Sequence, residues 1–549
     1  MPAYVASQGV QKRLTLRVLT AVALAISVVV PAPAFASTIG DGPALSAVIP
    51  APVAVQPTSQ RFLLTRRTVI HTQPEAPAAR AVGEQLAQAL RPATGFPLPV
   101  FAFLGQTGSI SPWPSVLIEG PRISLLLGAN DARLGAEGYQ LTVGADQITI
   151  RANNPAGLFN GAQTLLQLLP SEIDSPTVRH RAWVVAGGTI VDYPRFAYRG
   201  AMLDVARHFH TPAEIKRYVD EISRFKVNYL HLHLADDQGW RIEIDGWPRL
   251  TEISGGAGTG VDGAGPGYLT RADYTGLVAY AAERFVTIVP EIDMPGHVNA
   301  AQVAYPELTA DGIPVAPRTD TEVGYSSFVA DKEETYAFIE DVLREVAALT
   351  PGPYLHIGGD EAQATTAEDY RTFIQRVLPL VAKYGKRVVG WHEMAGVELP
   401  ETAIAQYWRI EATDEGTARA AANGCKVIMS PADRTYLDMK YTEQSPLGLD
   451  WAGLIDVERA YGWDPADRLP GVGEDALLGV EAALWAETLR SLADAQTMTY
   501  PRLPAIAEIG WSPRATHDWE SFRRRLAAFA PRWRNQGVAF HASPEIPWS

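Results

Sequence analysis

His356-Ile357-Gly358-Gly359-Asp360-Glu361 closes a short apolar run that opens at Tyr354, directly after the breaker Pro351-Gly352-Pro353. An apolar run of that length, ended by glycines and then by charge, reads as a buried strand whose tip meets a ligand or solvent. Working outward, comparable runs recur on both sides. They are Ala201–Val205, Tyr229–Leu234, Val286–Glu291, Tyr354–Gly358, Arg387–Trp391, Ile404–Trp408, Lys426–Met429 and Leu477–Leu484. Helical patterns lie between them. Thr211, Pro212 and Glu214 make a capping-box start, and Ile215, Tyr218, Ile222 and Phe225 then mark one apolar face. Asp331 with Glu334 predicts another helix, running to about Leu349. Eight strands alternating with helices predict an α/β fold, a (β/α)8 barrel over residues 193–549 with a C-terminal helix.

In such a barrel the chemistry belongs at the carboxyl ends of the strands. Arg207, Asp236, Asp237, His297, Asp360, Glu361, Trp391, Trp408 and the segment Tyr436–Asp438 all fall at or just past a predicted strand end. The apolar runs define the strands without reference to these polar residues, so the clustering is independent of them.

Before the barrel, residues 57–192 mix Ala78–Leu90, helical in composition, with the alternating pairs Tyr139–Val143 and Ile148–Ile150, and end in an apolar helix, Leu158–Leu169. They predict a smaller α+β domain with an antiparallel sheet. Residues 37–56, rich in Ala, Pro, Val and Ser without periodicity, predict a flexible lead-in. At the start, Lys12, Arg13 and Arg17 precede the apolar run Val18–Val30, and Ala34-Phe35-Ala36 fits a cleavage site. Residues 1–36 therefore read as a secretory signal rather than a membrane anchor, since the run is too short to span a bilayer. The expected location is extracellular.

The formal charge of −14, with no basic run, excludes phosphate-backbone binding as the main business of the surface, so no nucleic-acid partner is expected. Nor does any later stretch predict stable membrane insertion. Cys425, the only cysteine, forbids an internal disulfide, and its apolar setting marks it as a packed residue.

Asp360 and Glu361 carry the chemical reading. Two adjacent carboxyls repel each other and separate in pKa, which lets one stay ionised while the other keeps a proton, as glycoside hydrolysis requires. Neighbours in sequence are poorly placed to flank an anomeric carbon from opposite sides, so the nucleophile is expected from elsewhere. A 2-acetamido group on the sugar would supply it, its carbonyl oxygen attacking to give an oxazolinium ion while Asp360 holds the N–H and Glu361 serves as acid and then base. Substrate-assisted families of this kind are a known exception to the two-carboxylate rule.

With these residues in place the chain resembles family 20 glycoside hydrolases, the β-N-acetylhexosaminidases, over nearly all of its length after the signal. Gly135-Ala136-Glu137-Gly138-Tyr139 and the helix from Gly157 to Pro170 are similar to the family's non-catalytic first domain. Leu203-Asp204-Val205-Ala206-Arg207-His208 resembles the segment that grips the 3- and 4-hydroxyls, implying that role for Arg207. His231 to Gln238 implies active-site support by Asp236, and Pro295-Gly296-His297 carries the histidine beside the acid. The resemblance further implies that Trp391, Trp408 and Trp485 enclose the sugar and its acetyl methyl. Tyr436 would align the acetamide oxygen, and Asp438 and Glu487 would bind the 4- and 6-hydroxyls. No cofactor and no metal are implied.

The close-set His208, His210, His231 and His233 lack a defined ligand geometry, and His231 and His233 are expected to line the barrel or orient neighbours. The stretch Gly255–Gly267 lacks a Gly-Lys-Ser ending and is expected as a mobile rim loop, not a phosphate cradle. Two competitors remain: release of disaccharide units, as by a chitobiosidase or lacto-N-biosidase, and a catalytically silent carbohydrate-binding protein. Preference between N-acetylglucosamine and N-acetylgalactosamine, and the oligomeric state, are not written in the sequence.

Overall fold

The computed structural model describes residues 42–102 and 120–548. The predicted signal, 1–36, and the start of the lead-in lie outside the described residues. Eight parallel strands close into a barrel: Tyr198–Asp204, Tyr229–His233, Thr287–Glu291, Tyr354–His356, Arg387–Trp391, Ile404–Tyr407, Lys426–Met429 and Leu477–Ala482. Each overlaps one of the predicted runs, because every run is a stretch of apolar residues buried on both faces. Thr211 caps the first barrel helix, Pro212–Ser223, in the reciprocal arrangement expected with Glu214. The helix predicted from Asp331 instead begins at Glu333 and runs to Leu349, with Lys332 at the cap position and no side-chain cap.

The first domain is a seven-stranded sheet that is antiparallel along one half and parallel along the other. The parallel half, which the sequence reading lacked, arises because Val69–Thr72, Val100–Ala102 and Arg122–Leu127 are joined by long crossovers rather than hairpins. Helices Pro77–Thr94 and Pro155–Gln167 bury their apolar faces against the sheet. The described part of the predicted flexible lead-in is a further correction. Leu45, Val48 and Ile49 are buried, the Ile49 N–H donates to Gln167 Oε1 at 2.8 Å, and the first sheet strand starts at Ala54. Small and apolar residues without periodicity here pack as irregular backbone in the seam between the domains.

That seam carries buried charge. Asp192, at the end of strand Trp183–Asp192, receives Lys226 Nζ at 3.0 Å, Trp511 Nε1 at 2.9 Å and the Tyr139 hydroxyl at 2.7 Å. Arg199, in the first barrel strand, pairs with Glu137. Such desolvated pairs fix the orientation of one domain on the other, since displacing either partner strands a buried charge. The loop Gly255–Gly267 is also held: Arg241 donates to Gly267 O and Thr259 Oγ1, and the Val261 N–H donates to Arg207 O.

Candidate active site

After His356 the fourth barrel strand turns through Gly358 (φ 67°) and Gly359 (φ 106°). Both conformations favour glycine, and at Gly358 a Cβ would lie 1.6 Å from Asp293 Oδ1. The tight approach lets the Gly359 N–H donate to Asp293 Oδ1 at 3.1 Å. Glu361 then sits at φ 46°, and His297, on the neighbouring loop, at φ 58°. Left-handed backbone at non-glycine residues is costly and gathers at sites whose geometry is over-determined by their surroundings. Through this turn Asp360 and Glu361, though adjacent, line the same cavity, of about 300 Å³.

One side of the cavity is a chain of buried charges. Arg207 Nη2 lies 2.8 Å from Asp236 Oδ2, Asp236 Oδ1 lies 3.1 Å from His297 Nδ1, and His297 Nε2 faces Asp360 Oδ2 at 3.6 Å and Glu361 Oε2 at 3.5 Å. Burial alone would neutralise these groups. For His297, burial is outweighed by Asp236, Asp360 and Asp293, which hold its pKa well above the ordinary range. Asp236 is likewise held well below the carboxylate range, because Arg207 and His297 overcome its burial. Asp360 behaves differently. Burial, opposed by His297 and reinforced by Glu361, pushes it up to about 6. Asp293 is raised well above the carboxylate range, by burial and then by Asp360.

Aromatic rings form the walls. Trp408 stacks on Tyr436 (6.3 Å, 19°), and Tyr436 is tilted against Trp485 at 6.2 Å. Trp391 is fully buried and lies behind this wall, 5.8 Å from Trp485, with Nε1 donating to Glu291 Oε1 at 3.0 Å. The sequence reading put it on the cavity surface; the structure makes it a backing for the wall. Asp236 is similarly set back, while Arg207, His297, Asp360, Glu361, Trp408, Tyr436, Asp438, Trp485 and Glu487 all line the cavity.

Three of those carboxyls are unanswered. Among the described residues no protein group satisfies Asp438 Oδ1 and Oδ2, Glu487 Oε2 or Asp360 Oδ1, although all are buried. Buried acceptors without protein donors mark the positions of ligand donors. Asp438 is raised well above the usual range by burial and then by Glu487, as expected for acids facing each other across an uncharged guest.

Sequence reasoning missed four residues here. Glu291 ends the third barrel strand and gathers His231 Nε2 (3.0 Å), His356 Nδ1 (2.8 Å), Trp391 Nε1 (3.0 Å) and His233. His231, His356 and Glu291 lie close enough to hold a cation, but the imidazoles and the indole already occupy both carboxylate oxygens. This meets the expectation that His231 and His233 line the barrel and orient neighbours. Asp293 and Glu393 were hidden by their apolar flanks; a carboxyl at the end of an apolar strand was the available signal. Trp451, half exposed in a long loop and set edge-on to Trp408 (5.9 Å) and Tyr436 (5.8 Å), gave none.

The family model for the glycosyl hydrolase family 20 catalytic domain matches residues 196–514, and that for domain 2 of the same family matches 45–193. The chain belongs to glycosyl hydrolase family 20. Among relatives of this family 20 chain, a β-N-acetylhexosaminidase of Cellulomonas fimi is 40% identical, covering 91% of this chain and 97% of that protein. The solved family 20 β-N-acetylhexosaminidase of Streptomyces coelicolor A3(2) is 49% identical at a TM-score of 0.88, over 93% of this chain and 100% of that one. A mutant Streptomyces plicatus β-hexosaminidase, solved in complex with its product GlcNAc, is 51% identical at a TM-score of 0.87, over 92% and 99%.

Proposed function

We propose that this family 20 enzyme is an exo-β-N-acetylhexosaminidase that releases terminal, non-reducing, β-linked N-acetylglucosamine or N-acetylgalactosamine by a substrate-assisted, retaining mechanism. One observation carries the reading: unanswered buried carboxylate oxygens of Asp360, Asp438 and Glu487 converge with Arg207 on one aromatic-walled cavity. The names of the Cellulomonas and Streptomyces relatives support it.

In the reaction Glu361 donates its proton to the leaving glycosidic oxygen as the bond to the anomeric carbon breaks. The acetamide carbonyl oxygen forms the new bond to that carbon, giving an oxazolinium ion. Asp360 accepts the acetamide N–H and balances the positive charge that develops there; the Tyr436 hydroxyl donates to the acetamide oxygen and aims it. Glu361, now ionised, takes a proton from water, which opens the ring and returns the sugar with its original configuration. Arg207 offers donors to the sugar hydroxyls, Asp438 and Glu487 accept from them, and Trp408 and Trp485 cover the apolar faces. His297, held by Asp236, orients the acidic pair. Trp391 and Asp236 act from behind the surface.

The cavity, at about 300 Å³, lies at the small end of ligand sites and suits a single sugar. That favours exo action over release of disaccharides, and the intact acid pair favours an enzyme over a silent binder. With an aryl N-acetyl-β-glucosaminide and the matching aryl β-glucoside, the first is expected to react at least about 10³ times faster in kcat/KM. Equal rates would remove the acetamide from the mechanism. From chitotetraose the first product is expected to be the monosaccharide; chitobiose alone would favour the disaccharide-releasing reading. We also propose export: Lys12, Arg13 and Arg17 before an apolar run and Ala34-Phe35-Ala36 support it. Among the described residues no helix is long and apolar enough to cross a membrane.

A further inference from the structure

Glu361 and Trp408 line two cavities at once. The first holds Arg207, Asp438 and Glu487. The second, of about 720 Å³, meets the first at Glu361 and Trp408 and is built from the loops after the fourth, fifth and sixth barrel strands. A proton donor must touch the oxygen between the retained sugar and the leaving one. A separate cavity that begins at that donor is where the leaving part of a substrate can run, and this one has room for more than one ring.

Its charge is distinctive. Arg371, at the start of helix Ala367–Lys383, and Arg409, just past the sixth barrel strand, line it, and neither guanidinium makes an ion pair or hydrogen bond with another described residue. This occurs in a chain of net charge −14, where carboxylates are plentiful. Of the three acids that share the cavity, Glu361 is the proton donor and the other two are otherwise engaged. Glu393 accepts from Trp408 Nε1 at 3.1 Å and, pushed up to about 8 by burial and then by Asp360, is largely uncharged at neutral pH. Asp414 caps helix Glu415–Ala422, accepting from the Thr417 N–H at 2.6 Å. Arg419, a third arginine on the wall, is tied to Ala395 O. What remains is positive, with two arginine forks unspent.

We propose that this second cavity is a leaving-group site for an acidic sugar residue, whose carboxylate pairs with Arg371 and Arg409. Both arginines are exposed at the rim of the cavity, and the guanidinium fork suits a carboxylate better than it suits a neutral hydroxyl. The natural substrates then include chains in which a terminal N-acetylhexosamine is joined to a uronic acid or to another carboxylated sugar. The inference rests on the hexosaminidase reading above and adds the chemistry of the residue next to the scissile bond.

The test uses N-acetylglucosamine β-linked to glucose and, in the same linkage, to glucuronic acid, with the aryl N-acetyl-β-glucosaminide as a third substrate. Wild type is expected to favour the glucuronide about tenfold in kcat/KM at low salt, the preference shrinking as salt rises. Arg371→Gln with Arg409→Gln is expected to erase the preference, while the aryl glycoside, which carries no carboxylate, reacts as before. Equal kcat/KM for the two disaccharides in wild type, or a preference that survives the double substitution or is insensitive to salt, overturns the proposal while leaving the hexosaminidase reading intact. Failure of the wild-type enzyme on all three substrates overturns that reading instead.

Discussion

Replacing Asp360 by asparagine is expected to stabilise the protein while disabling it. The carboxyl has a pKa of about 6 in the folded chain against an ordinary 3.8, chiefly because it is buried. The folded state therefore keeps this proton more tightly than the unfolded one, so stability falls as pH rises between these values. The full penalty, roughly 3 kcal/mol from the gap between the two pKa values, is felt above pH 6 and vanishes below the unfolded value. Asparagine keeps the shape and removes the charge. Part of the gain is returned, because His297 loses one of the anions that hold it protonated. A net gain of about 1–2 kcal/mol at pH 7.5, shrinking to nothing near pH 3.5, is the expected result. Urea unfolding of wild type and Asp360→Asn at both pH values, followed by tryptophan fluorescence, measures it. Turnover of the aryl N-acetyl-β-glucosaminide should fall by about 10²–10³, the usual cost of losing one preorganised electrostatic partner. A variant less stable than wild type at pH 7.5, or a gain independent of pH, would refute the picture of Asp360 as a strained anion.

Three further substitutions probe other links. Gly358→Ala puts a methyl 1.6 Å from Asp293 Oδ1 and 2.8 Å from its Cα at φ 67°, so about 3 kcal/mol of lost stability and a sharp drop in kcat are expected together. An unperturbed melting curve would show that the turn has slack. Lys226→Ala leaves Asp192 buried without its ammonium partner, whose ion pair spans the two domains at 3.0 Å; a loss of about 3–5 kcal/mol is expected in urea unfolding, and Lys226→Met should recover only the packing. Glu291→Gln weakens the hub that holds His231, His233, His356 and Trp391, and is expected to lower kcat about tenfold with little change in KM, since the groups it aligns stand behind the cavity. A rise in KM alone would place Glu291 in binding instead.

The barrel was legible because its strands are apolar on both faces, so continuous runs such as Val427–Met429 stand out against amphipathic helices. Likewise Asp360 and Glu361 were legible because two glycines announce a turn immediately before them. Less visible was everything that depends on which strand ends meet. Nothing local distinguishes Glu291 from any acid at a strand end until the closed barrel brings three imidazoles to it. Trp391 and Trp408 follow neighbouring strands and look alike in sequence, yet one backs the wall and the other forms it. In the first domain the crossovers that make half the sheet parallel span residues whose composition says only that they are not hairpins.

The site has to be supported from far behind. An ionised Asp360 in a buried position is unstable by itself, and the enzyme needs it ionised when the acetamide arrives. His297 contributes by remaining positive. His297 in turn stays positive because Asp236, Asp360 and Asp293 face it, and Asp236 stays anionic because Arg207, His297 and His233 lie against it. His233 is held by Glu291, at the centre of the barrel. Each link substitutes a fixed opposite charge for the water that burial removes, and such fixed charge need not reorganise as the oxazolinium forms. On this reasoning, breaking the chain at Asp236 should do more than weaken sugar binding through Arg207. In Asp236→Asn, His297 loses its principal anion and its pKa falls, so the loss of kcat should deepen as pH rises. An equal loss at every pH would mean that the network only holds shape.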